Sequence, residues 1–216
     1  MPLSTLAASA VVAASAALSA SLPAPVPVPL TEAQAPTFVV GEEWEFAFTN
    51  VLEPAKSHNY KQKVITVPAG KVGLEVDDGR SAPATLDASA NLTNSSGGSY
   101  EPSDQRLQFP LAVGKSWSTS YVYKFGAWVA HCDRTTKVVS VERIQTPAGS
   151  FDAFKIEQVT SWSGNDQYGG HGTTRETDWY APTVGRIAKM DFQDIPVKGP
   201  ATTTHVELLR YVPAPH

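Results

Sequence analysis

The run Lys137-Val138-Val139-Ser140-Val141-Glu142-Arg143-Ile144-Gln145-Thr146-Pro147-Ala148-Gly149-Ser150-Phe151-Asp152-Ala153-Phe154-Lys155-Ile156 decides how this chain is read. A strand over 137–144 enters Thr146-Pro147-Ala148-Gly149, where proline presets a turn and glycine accepts the left-handed conformation. The expectation is a hairpin with a three-residue connection and a bulge. On the return strand Phe154, Ile156 and Trp162 share one face. Upstream, Trp117, Thr119, Tyr121 and Tyr123 alternate with Ser116, Ser118 and Ser120. That is the period of two of a half-buried strand, with large rings on one face and small polar groups on the other. Downstream, glycine clusters at 164–166 and 169–172 mark another hairpin end. Strands over 173–180, 186–192 and 202–211 complete this part.

The same pattern recurs earlier. Trp44, Phe46 and Phe48 alternate, and strands over 60–67 and 72–76 flank Pro68-Ala69-Gly70, with Asp77-Asp78-Gly79 closing the second. Two phrases occur twice in the same order. Val40-Gly41-Glu42-Glu43-Trp44 is echoed by Val113-Gly114-Lys115-Ser116-Trp117, and Pro68-Ala69-Gly70 by Pro147-Ala148-Gly149. The echo predicts two weakly similar halves, 38–105 and 106–216, of one folded unit. Residues 81–105 carry few bulky apolar groups, so they are expected to connect the halves with short strands at most. Residues 94–99 look like an exposed loop. No window beyond the N-terminal run sustains a 3.6-residue apolar period, so helices should be few. The expected fold is all-β: a strongly curved antiparallel sheet, half-barrel or sandwich-like.

Composition narrows the function. In 216 residues, 42% are hydrophobic and 18% charged, which fits a globular chain with a real core. A net charge of −4 leaves no basic footprint for nucleic acid. Residues 1–31 hold no charged side chain, and 3–22 form an Ala/Ser/Val/Leu run ending in small residues. This predicts a cleaved signal peptide over 1–22 and a periplasmic or secreted protein, although no Lys or Arg precedes the run. The rival, a retained anchor, is disfavoured because alanine and serine contribute little to insertion. Prolines alternating over 23–29 predict an extended spacer within 23–37. The single Cys132 excludes an internal disulfide.

Three ordered motifs carry a family resemblance. Phe109-Pro110-Leu111 leads into Val113-Gly114 and Trp117. Pro147-Ala148-Gly149-Ser150-Phe151-Asp152-Ala153 follows, then Trp179-Tyr180-Ala181-Pro182 with Val184-Gly185. Over roughly residues 109–192 this resembles the TapB-like family and related domain-of-unknown-function families of exported bacterial proteins. The resemblance implies an envelope location and a curved antiparallel β-structure. It implies no activity and no catalytic residues.

Catalytic signals are weak. His131-Cys132-Asp133 sets a thiol between an imidazole and a carboxylate, but strand neighbours point to opposite faces, so neither activates the thiol. A packed cysteine is the expectation. His58, His171, His205 and His216 show no metal spacing. No serine elbow, phosphate loop or dinucleotide fingerprint is present. No catalytic residue, metal or cofactor is therefore assigned, and the chain is read as non-enzymatic.

The aromatic residues are the least ordinary feature. Trp117, Tyr121, Tyr123, Trp162 and Trp179 fall on strands, with Thr160, Arg175, Thr177 and Arg186 sharing faces with some of them. On a curled sheet Trp117, Tyr121, Tyr123, Trp162, Arg175 and Trp179 would line a concave ligand surface. The plainer reading is that the rings fill the core. Three functions follow: an envelope module binding a lipid-like or protein ligand, a structural scaffold, or a hydrolase assembled only by the fold. A deep apolar cavity favours the first.

Overall fold

Alternation runs through most of the described residues, and pairing joins twelve of their strands into one continuous antiparallel ring. The computed structural model describes residues 30–77, 82–165 and 170–215. The leader and the first part of the spacer lie outside the described residues. So do parts of the turns read at 77–79 and 164–172. The strands are β1 (Glu32–Ala33), β2 (Glu43–Asn50), β3 (His58–Thr66), β4 (Lys71–Asp77), β5 (Ala84–Asp87), β6 (Leu92–Ser95) and β7 (Gly98–Glu101). They continue with β8 (Leu111–Ala112), β9 (Ser116–Phe125), β10 (Trp128–Thr146), β11 (Gly149–Gly164), β12 (His171–Ala181), β13 (Arg186–Pro196) and β14 (Thr202–Val212). Helical structure among the described residues is confined to two 3-10 turns, Pro54–Lys56 and Pro182–Val184.

Twelve strands close in the order β10-β11-β12-β13-β14-β2-β3-β4-β5-β6-β7-β9. This corrects the expected half-barrel or sandwich. The strands β5, β6 and β7, four residues each, come from the stretch read as a connection and supply the missing wall. The seam is β14 against β2, where Tyr211 faces Trp44. Closure leaves the ring without a free strand edge. Residues 94–99 form the β6–β7 hairpin rather than a loop, and positive φ at Ser96 (50°) and Gly97 (80°) suits a tight two-residue turn.

The echoed phrases make matching hydrogen bonds. Gly41 N donates to Val64 O and Val64 N to Glu42 O, both 2.9 Å. Gly114 N donates to Val138 O and Val138 N to Lys115 O, again both 2.9 Å. Gly41 and Gly114 have φ of 99° and 91°, a region that disfavours any side chain. Both Pro-Ala-Gly phrases lie at hairpin ends. In β10–β11, Thr146 pairs with Gly149, so the connection is Pro147-Ala148 rather than three residues. The irregularity falls at 138–140 instead.

Residues 30–37, the end of the stretch read as spacer, are ordered against the barrel. Glu32 and Ala33 pair with Ala112 and Leu111. Ala33, Leu107 and Leu111 pack with Val138, Phe154, Ile156 and Tyr180 in one apolar cluster. A larger cluster holds Trp44, Phe46, Val64, Leu74, Leu86 and Leu208. Trp44 donates Nε1 to Val184 O at 2.9 Å, so its polar atom is satisfied while its ring is buried. Each such side chain contributes about 1.5–3 kcal/mol.

The connection from β7 to β9 enters the lumen. Ser103, Asp104 and Leu107 are buried, and Asp104 and Arg106 reach residues of β6, β10, β12 and β13. Outward positions such as His131, Asp133, Thr135 and Lys137 are exposed and polar. Arg175 and Glu207 also lie outward.

Candidate functional site: an aromatic mouth over a charged floor

Strand β9 turns Tyr121 and Tyr123 inward, as its alternation predicts. Around them stand Tyr100 from β7, Trp128 from β10 and Trp162 from β11. Tyr100 lies 4.9 Å from Tyr123 between ring centroids, Tyr123 lies 5.6 Å from Trp128, and Trp128 lies 6.0 Å from Trp162. The last two contacts are edge-to-face, a favoured aromatic geometry. Trp162 also donates Nε1 to Asp194 Oδ1 at 2.9 Å. The belt borders a cavity of about 400 Å3, completed by residues that include Cys132, Thr160, Thr174, Phe192 and Pro196.

Three glycines hold the rings against the wall. A Cβ on Gly98 would lie 2.7 Å from Tyr123 Oη, and one on Gly164 would lie 2.7 Å from Trp128 Nε1. On Gly172 it would meet Trp162 Cζ2 at 2.7 Å. Each ring therefore fills the place of a missing side chain, and the lumen beside it stays open.

Below the belt the lumen is charged. Asp104, Arg134, Glu176 and Asp178 are at most 4% exposed. Arg106 sits 2.8 Å from Asp104 and 2.8 Å from Glu176, with Arg134 3.7 Å from Glu176. Arg134 donates Nη1 to Asp104 O at 2.6 Å, Nε to Thr160 Oγ1 at 3.0 Å and Nη2 to Tyr121 Oη at 3.1 Å. Its guanidinium lies 5.1 Å from the Tyr121 ring. Gln158 donates to Asp178, and Thr136 to Gln158. The buried charges of Asp104, Arg106, Arg134 and Glu176 are tolerated because each lies against an opposite charge.

Protonation follows from this packing. Burial disfavours the Arg106 cation, yet Glu176, Asp104 and Asp178 outweigh it and hold the charge firmly. Burial pushes the Asp178 carboxyl well above its ordinary range, and the Glu176 charge adds to it. Asp178 is thus the neutral member of the network. Burial pushes Tyr121 up to about 12 against the pull of Arg134, and raises Tyr100 as well.

The structure brings together Tyr121, Tyr123 and Trp162 of the six residues singled out by sequence. Trp117 packs on the cluster with Leu107 and Leu111, under Lys115. Arg175 is exposed on the outer face of β12. Trp179 lies opposite Asp178 on that strand, near Lys155 and Lys189, with Nε1 donating to Glu142. Reading β12 inward from Trp179 selected Arg175 and Thr177, whereas the lumen receives Thr174, Glu176 and Asp178. Burial of those carboxylates depends on Arg106 and Arg134, which come from distant parts of the chain. Tyr100 and Trp128 were missed because each is a lone ring near a turn.

Cys132 is buried between exposed His131 and Asp133, and burial raises its thiol pKa. Iodoacetamide should label it no faster than an ordinary free thiol in the folded protein, and faster after unfolding. Rapid labelling at pH 6 that unfolding abolishes would make Cys132 an activated nucleophile. Among the described residues no group of three or more His, Cys, Asp or Glu converges as for a metal ion.

The fold and site together define a closed antiparallel barrel with an aromatic, ligand-sized mouth. The DUF3108-like family model matches residues 124–193, spanning most of β10–β13. This family, rather than TapB-like, is the one matched, and the match covers all but the first part of the span that carried the resemblance. No curated protein matches. Among solved structures, a presumed lipoprotein from Parabacteroides distasonis is 12% identical, with 83% of this chain and 99% of that chain covered and a TM-score of 0.44. A presumed exported protein with a YmcC-like fold from Bacteroides fragilis is 12% identical, covers 83% and 99%, and has a TM-score of 0.43. The hypothetical lipoprotein YmcC from Escherichia coli is 10% identical, covers 82% and 87%, and has a TM-score of 0.47.

Proposed function

We propose that this chain is an exported, non-enzymatic binding module whose barrel mouth takes an apolar ligand. The carrying observation is the belt of Tyr100, Tyr123, Trp128 and Trp162 around a cavity of about 400 Å3. Three of its rings are set in place by Gly98, Gly164 and Gly172. A ligand entering a pre-set apolar site loses little to reorganisation. The buried thiol and neutral tyrosines beside it offer no activated nucleophile, which supports binding over hydrolysis.

The test uses N-phenyl-1-naphthylamine, a neutral fluorescent apolar probe. Saturable binding is expected, weakened by about tenfold in Trp162→Ala through loss of one stacking surface. Binding that is absent, or unchanged in that variant, would overturn the reading. Export rests on the uncharged leader-like run. Mature protein from the envelope should begin between Ser15 and Pro23, and recovery of Met1 from a membrane fraction would contradict cleavage.

A further inference from the structure

Arg106 borders two spaces. One is the mouth; the other is a cavity of about 420 Å3 lined in part by Phe46, Phe48, Leu92, Met190 and Val206. Its polar lining includes His58, Tyr60, Gln62, Asp104, Arg106 and Arg186. Asp104 and Glu176 neutralise Arg106. Arg186 is different. Its Nη2 donates to Gln62 Oε1 at 2.7 Å and its guanidinium lies 5.1 Å from the Trp44 ring. Its Nη1 is buried without a hydrogen-bond partner, and among the described residues no carboxylate lies within ion-pair distance of it. Burial lowers its affinity for a proton and outweighs the opposing pull of Tyr60, Tyr180 and the Asp104 charge.

A desolvated guanidinium beside an apolar cavity selects the anion that completes it. One unpaired cation suits a single negative charge. Five apolar side chains suit a hydrocarbon body, and the volume lies within the about 300–1,000 Å3 of small-molecule sites. We propose that this second cavity binds a long-chain carboxylate, its head group on Arg186 Nη1 and its chain along Phe46, Phe48, Met190 and Val206. The site is separate from the mouth and stands independently of the function proposed for it.

Calorimetric titration with dodecanoate, 1-dodecanol and acetate tests this. Dodecanoate should bind saturably, dodecanol about tenfold or more weakly, and acetate undetectably. Arg186→Met should weaken dodecanoate by about tenfold or more and leave dodecanol unchanged, with Arg186→Lys in between. The comparison of dodecanoate with dodecanol on the wild-type protein needs no folded variant. Equal affinities there, no dodecanoate binding, or dodecanoate binding equally tight in Arg186→Met would overturn the proposal. Trp162→Ala separates the sites: it should leave dodecanoate affinity unchanged while weakening N-phenyl-1-naphthylamine. A parallel loss of dodecanoate would place the anion in the mouth and also overturn the proposal.

Discussion

Replacing Glu176 with leucine should lower stability by about 3–5 kcal/mol, the cost of breaking a buried ion network by removing one partner. Glu176 bridges Arg106 at 2.8 Å and Arg134 at 3.7 Å inside the lumen. Without it, Arg134 keeps only neutral hydrogen-bond partners, and Arg106 relies on Asp104. Asp178→Asn is the contrasting variant. Asp178 is held neutral, so an amide of nearly the same shape should cost less than about 1 kcal/mol at neutral pH. Urea unfolding with both variants measures the difference, and comparable losses would show that Glu176 does not organise the floor.

The same residue sets a pH dependence. The folded-state pKa of Asp178 is raised above the ordinary 3.8, so the folded chain holds that proton more tightly than the unfolded chain. Its contribution to stability is full below 3.8 and declines as pH rises toward the folded value. The urea midpoint of the wild type should therefore drop with rising pH over that window more steeply than that of Asp178→Asn. Parallel profiles would remove Asp178 as the source.

Gly172→Val should destabilise the barrel by about 1–3 kcal/mol or more, the range for forced overpacking. An added Cβ would lie 2.7 Å from Ile195 O and 2.8 Å from Pro196 Cα, which are backbone atoms of the next strand. Trp162 also lies 2.7 Å away and would be driven from its wall position. Loss of stability should thus accompany weakened N-phenyl-1-naphthylamine binding. Gly70→Val is the control for glycine loss alone, since Gly70 has positive φ and no neighbour within 4 Å of a Cβ. It should destabilise through the backbone while leaving probe affinity intact. A Gly172→Val protein as stable as wild type would mean that the β12–β13 contact yields easily.

Much of the local structure was legible. Alternation in residues 116–123 set Tyr121 and Tyr123 on one face of β9, and the structure turns that face inward. Pro147-Ala148 located a hairpin, and strand geometry alone set His131 and Asp133 away from Cys132. What failed was parity on β12. Glu176 and Asp178 look outward to any rule that sends charge to solvent, whereas Trp179 is buried as a ring should be, but in the apolar cluster with Ile144 and Ala181 and not beside the belt. The three belt-supporting glycines looked like loop or turn residues, since Gly98, Gly164 and Gly172 all sit near hairpin ends.

The sequence by itself determined an all-β chain with scarce helices, the positions of most strands, and a strand face of large rings. Those follow from interactions between near neighbours, which periodicity records. Closure of the ring was decided by tertiary structure, because Trp44 and Tyr211 pair across the β2–β14 seam from opposite ends of the barrel's sequence, a contact no local pattern records. The charged floor was decided there too: Arg106 and Arg134 must cross the lumen before burial of Glu176 becomes tolerable. The separate cavity at Arg186 depends on the same closure, since its walls come from β2, β6, β13 and β14, and no local pattern encodes a space between them.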